Sequence, residues 1–163
     1  MNSCGPHAKR TSRRRFVAGA TAGALAVPML LRAGKGRAAQ ADLEAAVRAI
    51  TKDVAPREGR VVVEAPPLAE TGNAVPVTIK VDSPMTAVDR VTAIHILLEQ
   101  NPESDAGHFT LGPRCGRAEI ATRLRMFSPQ KVYGLAAMSD GTFWIGSMHV
   151  EVTLAACVDI EIK

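Results

Sequence analysis

Met148-His149-Val150-Glu151-Val152-Thr153-Leu154-Ala155-Ala156-Cys157-Val158-Asp159, close to the end of the chain, decides how the rest is read. Its even positions, continued by Ile160 and Ile162, are all apolar, while the odd ones include His149, Glu151, Thr153, Cys157, Asp159, Glu161 and Lys163. A period of two marks a strand with one buried face and places Cys157 on the polar face. The 16 residues from 148 to 163 would extend ~53 Å at ~3.3 Å each, far beyond the ~17–20 Å of an ordinary strand. The run therefore has to break. Ala155-Ala156 is its weakest point, because alanine has low strand propensity and little side chain to pack. Cys157 is expected at or just past a strand end, partly exposed, with a short apolar and acidic tail behind it.

The other end of the chain reads differently. Ser12-Arg13-Arg14-Arg15-Phe16-Val17 is followed by an uncharged run from Ala18 to Leu31, then by Arg32, Lys35 and Arg37 and by Ala39-Gln40-Ala41. Arg13 and Arg14 read as a twin-arginine export signal, with an A-x-A cleavage site before Asp42. The competing reading, a membrane anchor, requires about 20 apolar residues, and the run is too short for it. The expected division is a signal peptide at 1–41, one domain at 42–154 and a cysteine-bearing arm at 155–163. The expected location is the periplasm, with no membrane span.

Removing the signal reverses the charge. The chain has 20 Lys and Arg against 16 Asp and Glu, but residues 42–163 hold 12 basic against 16 acidic, a net of −4. The basic balance belongs to the leader, and nucleic acid is excluded as a partner. Cys4 leaves with the leader, so Cys115 and Cys157 remain, and in an oxidising compartment the two could pair.

Between the ends, Leu43, Ala46, Val47 and Ile50 have the spacing of a helical face. One short amphipathic helix is expected, capped at or beside Asp42 and ended near Ala55-Pro56. Strand signals follow at Gly59–Glu64, Val75–Val81, Val91–Leu98, Gly107–Leu111, Arg117–Met126 and Lys131–Met138. They are separated by turns at Pro66-Pro67, Thr71-Gly72-Asn73, Asp82-Ser83-Pro84 and Asn101-Pro102, and Ser139-Asp140-Gly141 makes a hairpin into Thr142-Phe143-Trp144-Ile145. Pro76 cannot donate to a ladder, so it belongs near its strand's start or on an edge. Seven or eight short strands in one domain predict an all-β sandwich with a short N-terminal helix.

Five stretches resemble, in order, the SoxY family of sulfur carriers: Gly72-Asn73-Ala74-Val75-Pro76-Val77, Val81-Asp82-Ser83-Pro84-Met85-Thr86, Ile94-His95-Ile96, Gly116-Arg117-Ala118-Glu119 and Ala137-Met138-Ser139-Asp140-Gly141. The resemblance implies an immunoglobulin-like sandwich paired with a SoxZ-like subunit. It also implies a C-terminal cysteine that carries sulfur intermediates to a haem enzyme, a hydrolase and, in some cases, a sulfur dehydrogenase. Cys157 is the matching residue. The family's arm reads Gly-Gly-Cys-Gly-Gly; here Ala155 and Ala156 precede the cysteine, Val158 and Asp159 follow it, and Ile160-Glu161-Ile162-Lys163 extends the chain. Alanine is nearly as thin as glycine but gives up positive-φ states, Val158 is stiff, and Asp159 brings negative charge near an anionic adduct. At ~5–6 Å and an effective dielectric near 20, that repulsion is on the order of 3 kcal/mol per unit charge.

The resemblance thus implies a carrier acted on by partner enzymes, not an enzyme in itself, with no cofactor of its own. Two alternatives stay open: a binding or scaffold module that has lost carriage, its tail docked as an added strand, and a carrier of another thiol metabolite. Cys115, in Gly112-Pro113-Arg114-Cys115-Gly116-Arg117, reads as a spare thiol in a turn. His95, His108, His149, Met138, Met148 and Cys157 would suit copper by ligand type, but no pair has a ligand spacing, and no metal is expected. Phe143-Trp144 reads as core or partner interface.

Overall fold

A computed structural model describes residues 35–156; residues 1–34 and 157–163, with Arg13, Arg14, Cys157, Val158 and Asp159, lie outside the described residues. One helix, α1 (Lys35–Thr51), precedes β1 (Arg57–Glu58), β2 (Val61–Glu64), β3 (Leu68–Thr71), β4 (Val75–Val81), β5 (Val91–Leu98), β6 (Asp105–Thr110), β7 (Glu119–Leu124), β8 (Gln130–Met138) and β9 (Phe143–Leu154). The larger sheet has the order β1-β9-β8-β5-β6, with β3 also on β9, and the smaller has β2-β4-β7. This is the expected immunoglobulin-like sandwich.

Alternation explains the layers. β4 points Val75, Val77, Ile79 and Val81 at the larger sheet, whose Ile94, Ile96, Leu98, Val132, Ala136, Val150 and Val152 face them in one buried cluster. On the opposite face of that sheet Leu97 and Leu135 pack with Leu43 of the helix, flanked by Ala46, Val47 and Ile50. The helical stripe read from the sequence is therefore the face that covers the larger sheet. The helix starts seven residues earlier than expected, so Asp42 lies in its second turn and is not its cap. Ala39 and Ala41, read as part of a cleavage site, are also strong helix formers. Its end comes at Thr51, before Ala55-Pro56, where Lys52 and Asp53 take positive φ values of 52° and 66° and the Asp53 N–H donates to Arg48 O at 3.3 Å. That bond closes the helix by the usual left-handed route.

The strands end where the turn residues predict. Gly141 at φ 82° closes the β8–β9 hairpin, and the Asp140 carboxylate accepts from the Thr142 hydroxyl at 2.7 Å and the Thr142 N–H at 2.9 Å. Those two bonds, the hydroxyl first, hold Asp140 below the usual carboxylate pKa. Pro76 pairs with Arg123 of β7, and β2 reaches only as far as Thr78, so its missing N–H faces no partner strand.

Two short strands escaped the sequence reading. β1 and β3 both lie parallel to β9, through Arg57↔Trp144 and through Leu68↔Glu151, Ala69↔Val152 and Thr71↔Leu154. Between them the chain crosses to the smaller sheet as β2. Gly146 is where that crossing passes β9, since a Cβ there would overlap the Val61 carbonyl oxygen.

The loop after β7 is stapled from inside. Gln130, 1% exposed, accepts from the Gln100 N–H at 2.8 Å and donates to Asn101 Oδ1 at 2.7 Å. Asn101 in turn donates to Arg125 O at 2.9 Å and accepts from the Phe127 N–H at 3.3 Å. Gln130→Met keeps the volume but strands these partners, with an expected loss of about 1–3 kcal/mol. Urea denaturation measures it, and an unchanged midpoint would contradict the role given to this network.

Candidate functional site: the root of the C-terminal cysteine

β9 leads the chain toward the candidate cysteine. Its alternation holds through Val150 and Val152, both buried, but Leu154 is 67% exposed. The strand stops there, at the break expected from Ala155-Ala156. Ala155 is exposed, whereas Ala156 turns back into the protein and is 5% exposed.

What holds Ala156 is a ring of three backbone hydrogen bonds. The Gly72 N–H donates to Leu154 O at 2.7 Å, the Met126 N–H donates to Gly72 O at 2.8 Å, and the Ala156 N–H donates to Met126 O at 3.1 Å. Three segments distant in sequence thereby lock each other. Gly72 lies buried at the centre; a Cβ on it would overlap the Met126 carbonyl oxygen, stand 2.9 Å from Ala156 N and 3.1 Å from Val152 Cγ1. Its φ is not among the positive ones, so glycine is needed for close approach and not for a turn conformation. Met126 is fully buried, and its loop is the one stapled by Asn101 and Gln130. The site thus has a fixed floor, and Cys157 is the next residue along the chain.

Sequence reasoning treated Gly72 only as a turn and Met126 only as a strand end. The available signal was that Gly72 opens the first of the stretches that carried the family resemblance.

The remaining candidates do not converge. Met138 and Met148 belong to the inner face of the larger sheet, while His95, His108 and His149 lie on its outer face. Among the described residues no group of three His, Cys, Asp or Glu side chains is placed to hold a metal ion. His149 pairs with Glu151 at 2.9 Å. Cys115 is exposed and forms no disulfide with a described residue, and its N–H closes a turn onto Gly112 O at 3.0 Å. A Cys115–Cys157 pairing lies outside the described residues. Trp144 packs on the core with the Arg60 guanidinium 5.5 Å from its ring centre, and Phe143 packs with the helix cluster.

His95 and His108 are cross-strand partners with ring centroids 5.6 Å apart. Burial holds His95 below the usual histidine pKa; Asp105 opposes the shift and His108 adds to it. The folded chain therefore resists the proton that the unfolded chain accepts near pH 6.5, and stability falls as pH drops through that value. His95→Gln is expected to flatten this part of the profile, read as urea midpoints between about pH 7 and 5.

The described residues thus form a helix-backed sandwich whose last strand ends at Leu154, with Ala156 held by the backbone ring. The family model for sulfur oxidation protein SoxY matches residues 46–157, from α1 to the cysteine itself. The chain belongs to the SoxY family. Among solved structures it is similar to the sulfur carrier protein SoxY from Chlorobium limicola f. thiosulfatophilum, at 25% identity and a TM-score of 0.60, covering 70% of this chain and 98% of that one. A superoxide reductase (neelaredoxin) from Ignicoccus hospitalis aligns at 16% identity and a TM-score of 0.52, covering 58% of this chain and 80% of that one; this likeness concerns the fold alone. Comparison with curated proteins finds no match. Among the described residues no helix is long and apolar enough to cross a membrane.

Proposed function

We propose that this chain is a periplasmic sulfur carrier in which Cys157 holds the cargo covalently. The observation that carries the reading is the backbone ring ending at Ala156, which spends buried hydrogen bonds on fixing the residue just before the thiol. The family match extends through that cysteine, and the related Chlorobium protein is a sulfur carrier.

The chemistry divides between carrier and partners. Joining a sulfur oxoanion such as thiosulfate to the thiol makes an S–S bond, releases the thiol proton and gives up two electrons, which a haem enzyme would take. A hydrolase would then add water to remove the oxidised terminal sulfur as sulfate, leaving reduced sulfur on Cys157. The carrier supplies the thiolate nucleophile and needs no base of its own. A SoxZ-like subunit completes the complex, and the Arg13-Arg14 signal exports the chain folded.

Intact-mass spectrometry of the protein from its native periplasm, before and after reductant, tests this. A reductant-labile sulfur adduct that maps to Cys157 and persists in Cys115→Ser is the expected result. A bare thiol, or a two-hydrogen change from a Cys115–Cys157 disulfide, would favour the binding module that has lost carriage. An adduct of different mass would name another thiol metabolite as cargo.

A further inference from the structure

We propose that His95 and His108 form a two-imidazole chelate for a divalent ion of the zinc type on the outer face of the larger sheet. The two histidines are 13 residues apart in the chain, a separation that carries no ligand spacing, and only the β5–β6 ladder makes them neighbours. The inference goes beyond sulfur carriage and does not depend on which residue holds the cargo.

Three observations support it. His95 and His108 stand directly opposite each other in register, with ring centroids 5.6 Å apart. His95 Nδ1 is buried without a hydrogen-bond partner, and a buried ring nitrogen left alone costs stability until something partners it. A bound ion is such a partner. The surroundings also suit a cation: burial lowers the His95 pKa and so favours the neutral imidazole that binds metal, while the Asp105 carboxylate acts on the ring in the opposite direction, so its negative field reaches the site. Asp105 accepts from the Gly107 N–H at 3.1 Å and is a neighbour of the pair, not a ligand.

The separation of the rings matches what one ion spans. An ion about 2.0–2.1 Å from a ring nitrogen lies about 3.2 Å from that ring's centre. Two centres 5.6 Å apart therefore meet on one ion at an angle of about 120°, near the tetrahedral value that zinc takes. The strands need not move; the rings need only turn. His108 is exposed on the open edge strand β6, where its ring has room to turn, whereas His95 is half-buried beside Leu135 of β8. Imidazole suits zinc, nickel and copper over magnesium and calcium. Among the described residues no third His, Cys, Asp or Glu side chain joins the pair as a ligand, so water or a group from outside the chain takes the other positions.

Calorimetric titration of zinc chloride into the full chain carrying Cys4→Ser, Cys115→Ser and Cys157→Ser tests this, since those changes remove the thiols as competing ligands. One zinc ion per chain is expected to bind, and Tm is expected to rise with zinc concentration because the ion binds the folded chain. His95→Gln and His108→Gln should each weaken binding at least about tenfold, as loss of a ligand costs no less than the 10–100-fold seen for groups behind a ligand. His149→Gln, on the same face but paired with Glu151, should leave the affinity unchanged. Should His95→Gln fail to fold, the exposed His108 carries the comparison. A chain that binds no zinc, or one whose binding survives His108→Gln, would overturn the proposal. Equal loss in His149→Gln would also overturn it, by showing that the ion is not held by this pair.

Discussion

Cys157→Ser is expected to abolish the sulfur adduct and with it all thiosulfate-dependent turnover in a system reconstituted with the partner enzymes. A hydroxyl is a far weaker nucleophile at neutral pH and forms no S–S bond, so the loss is complete and not graded. Cys115→Ser is the matched control. Cys115 sits exposed in its own turn, away from the strand that delivers Cys157, and its replacement should leave turnover unchanged. Turnover retained in Cys157→Ser and lost in Cys115→Ser would reverse the assignment; turnover retained in both would end it. Serine differs from cysteine by one atom, so thermal unfolding of Cys157→Ser is expected to match the parent, which separates loss of chemistry from loss of fold.

Gly146→Ala is expected to be strongly destabilising. The added Cβ would overlap the Val61 carbonyl oxygen and stand 2.9 Å from the Val61 carbonyl carbon and 3.2 Å from its Cβ. Those atoms are backbone or one bond from it, so no side-chain rotation relieves the clash. β2 would have to move away from β9 at the crossing between sheets. Overpacking of this kind costs about 1–3 kcal/mol, which lowers Tm by about 4–15 °C in a domain of this size. Gly134, directly opposite Gly146 in the β8–β9 ladder, offers a graded comparison. A Cβ there meets Ile79 Cγ2 at 2.9 Å and Val61 Cγ1 at 3.1 Å, both side-chain atoms with some freedom to yield, so Gly134→Ala should cost less. Calorimetry of the two variants checks the order, and equal losses would show that the backbone contact at Val61 is not the cause.

Much of the architecture was legible. The alternation in β4, β5, β8 and β9 gave both the strands and the faces they bury, because a buried face requires an apolar residue at every second position. The break after Leu154 was visible in Ala155-Ala156, and the hairpin before β9 in Asp140-Gly141. Leu43, Ala46, Val47 and Ile50 announced the helix and its packing face, although not its start, since Ala39 and Ala41 serve equally well as helix formers and as a small-residue processing site. The family was legible too, from short stretches in register whose common purpose is to build one sandwich and bring its last strand to a cysteine.

What stayed hidden were features made by backbone and not by side chains. β1 and β3 are two and four residues long, too short for any period, and they become strands only because β9 offers its open edge to them. The ring of Gly72, Met126, Leu154 and Ala156 is written in N–H and C=O groups that every residue but proline possesses, so nothing in composition or spacing marks its members. Glycine is the one trace, and a glycine beside an asparagine reads locally as a turn. By itself, then, the sequence determined which segments become strands, which face each one buries and that a thiol follows the last of them, since these depend on the order of apolar and polar side chains. Only the tertiary structure decided which distant backbones meet at that thiol's root, because such meetings depend on close approach in space.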